Sequence, residues 1–203
     1  MNEKQIQSKP LLIVISGPAG VGKDSVIHKM KEVGIPYHFI VTATSRAPRP
    51  GEVHGVDYFF YSKEVFEEML ANDEFIEHAD VYGQYKGVLK SQVKEAMKSG
   101  KDVVMRVDVQ GAATIKQKFP DALLVFLMLE DIEDLVERLR ARNTDTEDQL
   151  KIRIDLARHE YSQIPSFDYK VCNREGHLEE TARTIGAIIK AEHHRTDHRE
   201  ITL

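Results

Sequence analysis

The stretch "LLIVISGPAGVGKDS", residues 11–25, constrains this chain more than any other. Leu11 to Ile15 is an unbroken aliphatic run, the pattern of a strand buried on both faces of a parallel sheet. A G-x-x-x-x-G-K loop follows at once. Val26, Ile27, Met30 and Val33 then recur at helical spacing, with Gly34 as the stop. In that setting Gly17, Pro18, Ala19, Gly20, Val21, Gly22, Lys23, Asp24 and Ser25 form a loop whose backbone N–H groups, which Pro18 alone lacks, cradle the phosphates of a nucleoside triphosphate. The helix dipole adds to it, and Lys23 reaches the β and γ phosphates. The alternative is a chance glycine-rich turn. The loop alone says nucleotide binding and names no reaction.

Asp24 breaks the loop's usual pattern, in which a Ser or Thr after the lysine holds magnesium. A carboxylate beside phosphates is repelled by them. Ser25 is therefore the candidate hydroxyl on the Mg2+ side, and Asp24 is expected to face the lobe or solvent.

The 203 residues suit one medium domain, and a net charge of -5 disfavours a general binder of nucleic acid or anionic membrane. Cys172 is the one cysteine, which excludes an internal disulfide and suits a reducing compartment. No apolar run reaches the length of a membrane span. The polar leader "MNEKQIQSKP" lacks a signal-peptide core. The expected location is cytoplasmic, although a mature organellar protein would look the same.

Further buried strands are expected at 102–109, 123–129 and 168–173. Helices are expected at 91–99, 112–118, 132–142, 147–163 and 178–193. Alternation of the two predicts an α/β fold with a parallel sheet flanked by helices. Residues 1–41, 90–136 and 155–203 read as core, with 1–9 a polar leader. Residues 42–89, rich in Gly, Pro, Tyr and charge, show one clear helix around 64–71 and read as an inserted lobe. The charged segment 137–154, broken at "NTDTE", reads as a lid; Thr144 and Glu147 there have capping-box spacing. The tail "HHRTDHREITL" is expected to be a frayed polar terminus rather than a metal site.

A second anion site lies in "TATSRAPRPGEVHGVDYFF", residues 42–60. Arg46 and Arg49 sit on a stretch stiffened by Pro48 and Pro50, which suits bidentate recognition of phosphate, and Tyr58 adds a phenol. A basic solvated loop is the alternative. Arg138 and Arg142, four residues apart, share one helix face, which by itself fits a solvated helix equally well.

From about residue 10 to 191 the chain resembles the guanylate kinases, nucleoside-monophosphate kinases of P-loop fold. The ordered motifs are "GPAGVGKDS", "TSRAPRPGE", "GVDYFF", "FIEHADVYGQYKG", "VDVQGA", "RLRARNTDTEDQLKIR" and "VCN". The resemblance implies a P-loop core with a GMP-binding lobe and a lid, and transfer of the γ-phosphoryl of ATP to GMP with Mg2+. It implies that Thr42, Arg46, Arg49 and Tyr58 hold the phosphate of GMP. Glu77 would accept from guanine N1–H and the 2-amino group, two donors that adenine lacks on that edge. Asp108, expected at the end of the central strand, would lie near GMP. Arg138, Arg142 and Arg153 would gather with Lys23 around the transferring phosphoryl, and Asn173 would take a nucleotide-side position. The partners implied are ATP and GMP, with a monomer or homodimer.

Three departures stand out. Asp24 replaces the usual small or hydroxyl residue. In "YGQYKGVLK" the family's Tyr-Tyr-Gly-Ser/Thr becomes Tyr85, Lys86, Gly87 and Val88, so that Lys86 serves phosphate as a point charge and Val88 offers guanine O6 no hydroxyl. Arg106 stands where a carboxylate is common, and an Arg106–Asp108 salt bridge or a reach to phosphate is expected. A ribose 1,5-bisphosphate phosphokinase, suggested by "GKDS" and Val88, and a non-catalytic guanylate-kinase-like module are the rival readings.

Overall fold

The computed structural model describes residues 9–81, 83–141 and 147–201. Its first strand, β1 (Leu12–Ser16), is completely buried, as the aliphatic run requires. It leads into α1 (Lys23–Glu32), β2 (His38–Phe39), β3 (Ala43–Thr44), β4 (Phe59–Phe60), α2 (Lys63–Ala71), β5 (Phe75–Val81) and β6 (Gln84–Leu89). There follow α3 (Lys90–Lys98), β7 (Val103–Arg106), α4 (Val109–Lys118), β8 (Leu123–Met128), α5 (Ile132–Ala141), α6 (Glu147–Ser162), β9 (Tyr169–Cys172) and α7 (Leu178–Glu192).

The strands form two sheets. The larger is wholly parallel in the order β2-β7-β1-β8-β9, which places β1 at its centre. Successive side chains of a strand point to opposite faces, and the core divides accordingly. Ile13 and Ile15 pack with Val26, Met30, Ile185 and Ile189 beneath α1 and α7. Leu12 and Val14 pack with Val93, Ala96, Ala112 and Ile115 beneath α3 and α4.

Residues 43–89, where sequence reading finds one helix, carry four short strands as well, in the order β4-β3-β6-β5. Two-residue strands such as β3 and β4 leave no period to read. The face of this sheet toward α2 holds Phe75, Leu89 and Ala43, which pack on Phe66 of α2, and the Phe66 and Phe75 rings stack at 4.4 Å. Ser62 caps α2 by accepting from the Val65 amide. A bulge lies between Phe75, which pairs with Leu89, and Glu77, which pairs with Val88. One extra residue turns the following side chains over. Phe75 therefore joins the α2 cluster, whereas Ile76 and Val88 join the main core.

Two expectations need correction. The strand expected at 102–109 stops at Arg106, because Asp108 is the N-cap of α4, its carboxylate accepting from the Gly111 amide at 2.8 Å. Asp108 thus follows β7, a neighbour of the central strand, and not the central strand itself. The tail is not frayed as far as Ile201. His193 Nε2 lies 2.9 Å from Asp102, Arg199 bonds Glu192 at 2.6 Å, and Ile201 packs on the main core.

Phe66 is fully buried at the centre of the second sheet's cluster. Its replacement by alanine should destabilise by about 3–5 kcal/mol. Hydrogen exchange should then quicken in β3, β5 and β6 while protection in β1 and β8 is kept. Equal loss in both sheets would show that the two open as one unit.

Candidate active site

The phosphate-binding loop is held from behind. Gly22 takes φ 95° as the N-cap of α1, a conformation that favours glycine. A Cβ there would come within 2.6 Å of Asn173 Nδ2. That amide donates to Val21 O at 2.8 Å, and its oxygen accepts from Thr181. Asn173, expected on the nucleotide side, is buried and acts through the loop's backbone. Lys23 curls over the loop, with Nζ donating to Gly17 O and to Pro18 O at 3.0 Å. Burial holds its pKa below the usual lysine range, helped by Arg106 and Lys86 and opposed by Glu160 and Asp108.

Glu160 was not visible to sequence reading. It is buried on α6, and burial raises its pKa, with Lys23 pulling it back down. Arg153, Ala157 and Glu160 recur at four- and three-residue steps, which places them on one helix face. That spacing was the available signal.

The lobe supplies the other half of the site. Arg46 is turned inward, 10% exposed, and forms a forked pair with Glu52, both N–O distances being 2.6 Å. Its guanidinium lies 4.8 Å from the centre of the Tyr58 ring. The stretch expected to be extended ends in a turn in which the Glu52 amide bonds Arg49 O, and Arg49 itself is exposed. Thr42 is buried, its hydroxyl 3.4 Å from Arg106 O.

Strand alternation separates two residues expected to act together. Lys86 lies on the core-facing side of β6; its pKa is lowered by burial, opposed by Asp108, and Arg46, Arg49 and Arg153 lower it further. Tyr85 points the other way, stacking on Phe66 at 5.4 Å and donating to Glu67. Tyr85, expected among the GMP-binding residues, therefore has its side chain in the lobe's aromatic cluster, on the face opposite Lys86.

The bulge presents Glu77 to the same space. Its side chain is 4% exposed, and burial lifts its pKa to about 8, with Asp108 adding repulsion. Gly111 makes room for it, since a Cβ there would meet the Glu77 carboxyl at 2.8 Å. The "VDVQG" motif is thereby explained: Asp108 caps α4, and Gly111 both donates to that cap and lets the lobe's carboxyl approach.

The expected Arg106–Asp108 salt bridge is absent. β7 ends at Arg106, so the two no longer alternate along one strand. Arg106 pairs instead with Asp24 at the start of α1, which neutralises the carboxylate that would repel phosphate. Ser25 is exposed in the same first turn. Arg138 lies on α5, 3.9 Å from Glu175; Arg142 lies outside the described residues.

Cations from both halves thus act on one another across a single space: Lys23 from the loop, Lys86, Arg46 and Arg49 from the lobe, Arg153 from α6. The family model for guanylate kinase matches residues 9–192. The chain belongs to the guanylate kinase family. It is 46% identical to guanylate kinase 2, chloroplastic/mitochondrial, of Oryza sativa, over 96% of this chain and 69% of that one. It is 41% identical to a guanylate kinase of Halalkalibacterium halodurans, over 92% and 91%. A crystal structure of guanylate kinase from Anaplasma phagocytophilum superposes with a TM-score of 0.77 at 29% identity, covering 93% of this chain and 89% of that one. The guanylate kinase fold accounts for the parallel sheet and its flanking helices.

Glu77 carries a stability cost that depends on pH. Its folded pKa lies above the ordinary value of 4.5. The folded state therefore binds more protons than the unfolded one between the two, and stability falls as pH rises through about 8. Glu77→Gln should raise Tm by an increment that grows from about pH 5 to about pH 8.5, at roughly 2–4 °C per kcal/mol for a chain of this size. A constant increment would mean that the carboxyl titrates normally.

Proposed function

We propose that the chain transfers the γ-phosphoryl of ATP to GMP, giving ADP and GDP, with the loop as the ATP site and the lobe as the GMP site. The observation that supports this is that Lys86 of the lobe interacts electrostatically both with Lys23 of the loop and with Arg46, beside the buried carboxyl of Glu77. Two polyanions repel each other, and the first task of the site is to neutralise them while aligning them. The acceptor is already an anionic oxygen, so no general base is needed.

Lys23 and the loop amides hold the β and γ phosphates, and Arg138 and Arg153, with Arg142 in the segment expected to be a lid, serve the transferring group. Arg46, Arg49, Tyr58 and Lys86 hold the phosphate of GMP. Glu77 accepts from guanine N1–H and the 2-amino group. The Glu77 carboxyl, whose pKa burial raises, ionises as those donors arrive, because hydrogen bonds to a carboxylate lower its pKa. Val88 is fully buried in the core and offers the base no hydroxyl.

Mg2+ fits the donor set. Ser25 is exposed beside the loop, and among the described residues no group of three or more His, Cys, Asp and Glu could cage a metal. That suits an ion bound mainly through substrate phosphates and water, which would neutralise charge on the transferring group. No helix among the described residues is long and apolar enough to cross a membrane. The free Cys172 suits a reducing compartment, and the proposed location is cytoplasmic, with the organelles named for the rice relative as the alternative.

ADP release measured side by side with GMP, AMP, dGMP and ribose 1,5-bisphosphate tests the reading. GMP should give the highest kcat/KM, and preference for the sugar bisphosphate would overturn it. Glu77→Gln should lower kcat/KM for GMP about 10–100-fold, the cost of a lost charged hydrogen bond, with KM for ATP little changed. Ser25→Ala should raise the Mg2+ concentration needed for half-maximal turnover. An unchanged Mg2+ dependence would remove Ser25 from the metal.

A further inference from the structure

Arg106 stands between the two halves of the site. Ile15, the penultimate residue of the strand leading into the loop, is its neighbour in register. Its side chain is 11% exposed. One terminal nitrogen, Nη1, is taken by Asp24 at the loop. The other, Nη2, is buried and has no hydrogen-bond partner. The guanidinium lies 4.7 Å from the centre of the Tyr58 ring and 6.0 Å from that of Phe39. Tyr58 is also the ring against which Arg46 lies, at 4.8 Å, so the two arginines converge on one phenol.

We propose that Arg106 is a phosphate-binding residue for the acceptor nucleotide, with Asp24 as the positioning residue that holds it; this rests on the guanylate kinase reading above. A buried guanidinium nitrogen without a partner is costly, and a phosphate oxygen is the group that completes it best. The edge of Arg106 nearer the loop is occupied by a carboxylate, which leaves the edge nearer the lobe for a ligand. The lobe's ligand is the phosphate monoester held by Arg46 and Tyr58. Asp24 and Arg106 act together. The acid that would repel phosphates at the loop is neutralised by the arginine, and the arginine is aimed by the acid.

The test is a set of four variants: Arg106→Met, Arg106→Lys, Asp24→Ser and the Asp24→Ser/Arg106→Met pair. Each is compared with wild type for KM of GMP, KM of ATP and kcat, and for GMP binding by calorimetry without ATP. Arg106→Met should raise both KM and Kd for GMP roughly tenfold, the loss of a charge-assisted contact, with KM for ATP within about twofold. Arg106→Lys should recover part of that loss. Asp24→Ser, an exposed position that tolerates change, should raise KM for GMP less, and the double variant should be no worse than Arg106→Met, the non-additivity of residues acting as a unit. The proposal is overturned if Arg106→Met leaves GMP binding within about twofold of wild type, or if KM for ATP rises instead. It is overturned equally if both KM values rise together and Tm falls, since Arg106 is then structural. Should wild type fail to phosphorylate GMP, calorimetric GMP binding still separates the two ideas: weakened binding in Arg106→Met keeps this one while the reaction assignment falls.

Discussion

The site is organised by one electrostatic constraint: cations and carboxyls are withdrawn from water close to one another. Lys23, Lys86 and Arg106 all have pKa values lowered by burial, and Glu77 and Glu160 have theirs raised. Both shifts have the same meaning, since each charged form has lost solvent and has too few partners. Such an arrangement is unfavourable for folding alone and favourable for receiving phosphates and the donor edge of a base. The two arginines are meanwhile each held by a local acid, Arg46 by Glu52 and Arg106 by Asp24.

The fold produces this by a few local decisions. The fully buried β1 lies at the centre of the parallel sheet, and its C-terminal end, where open α/β sheets bind ligands, opens into the loop. One bulge in β5 turns Glu77 and its neighbours toward the core while Phe75 stays with α2. The cap at Asp108 ends β7 early, which frees Arg106 from Asp108 and lets it reach Asp24. A departure from the family's loop and a departure from its strand therefore meet in one ion pair.

What was legible in the sequence follows from contiguity. The strand, loop and first helix are adjacent in the chain, so their order could be read directly, and the long helices α6 and α7 lie close to their expected bounds. Arg46 turns inward and Glu77 is buried, whereas Arg49, read from the same motif as Arg46, is exposed. What could not be read depends on contacts distant in sequence. Arg106 finds Asp24 across 82 positions of chain only because β7 lies beside β1. Glu160 meets Lys23 only because α6 folds back over the loop. Tyr85 and Lys86 are neighbours in sequence, and the strand sends them to opposite faces. Asn173, which the resemblance places on the nucleotide side, donates to Val21 O and accepts from Thr181, partners 152 and 8 residues away in the chain.

The central claim is that two cationic pockets face one space, each made for one nucleotide. A guanosine and an adenosine joined through five phosphates would fill both at once, and competition calorimetry with that ligand tests the claim most directly. The account predicts one molecule bound per chain, far more tightly than either ATP or GMP, and displaced by each of them. Displacement by only one of the two would contradict it.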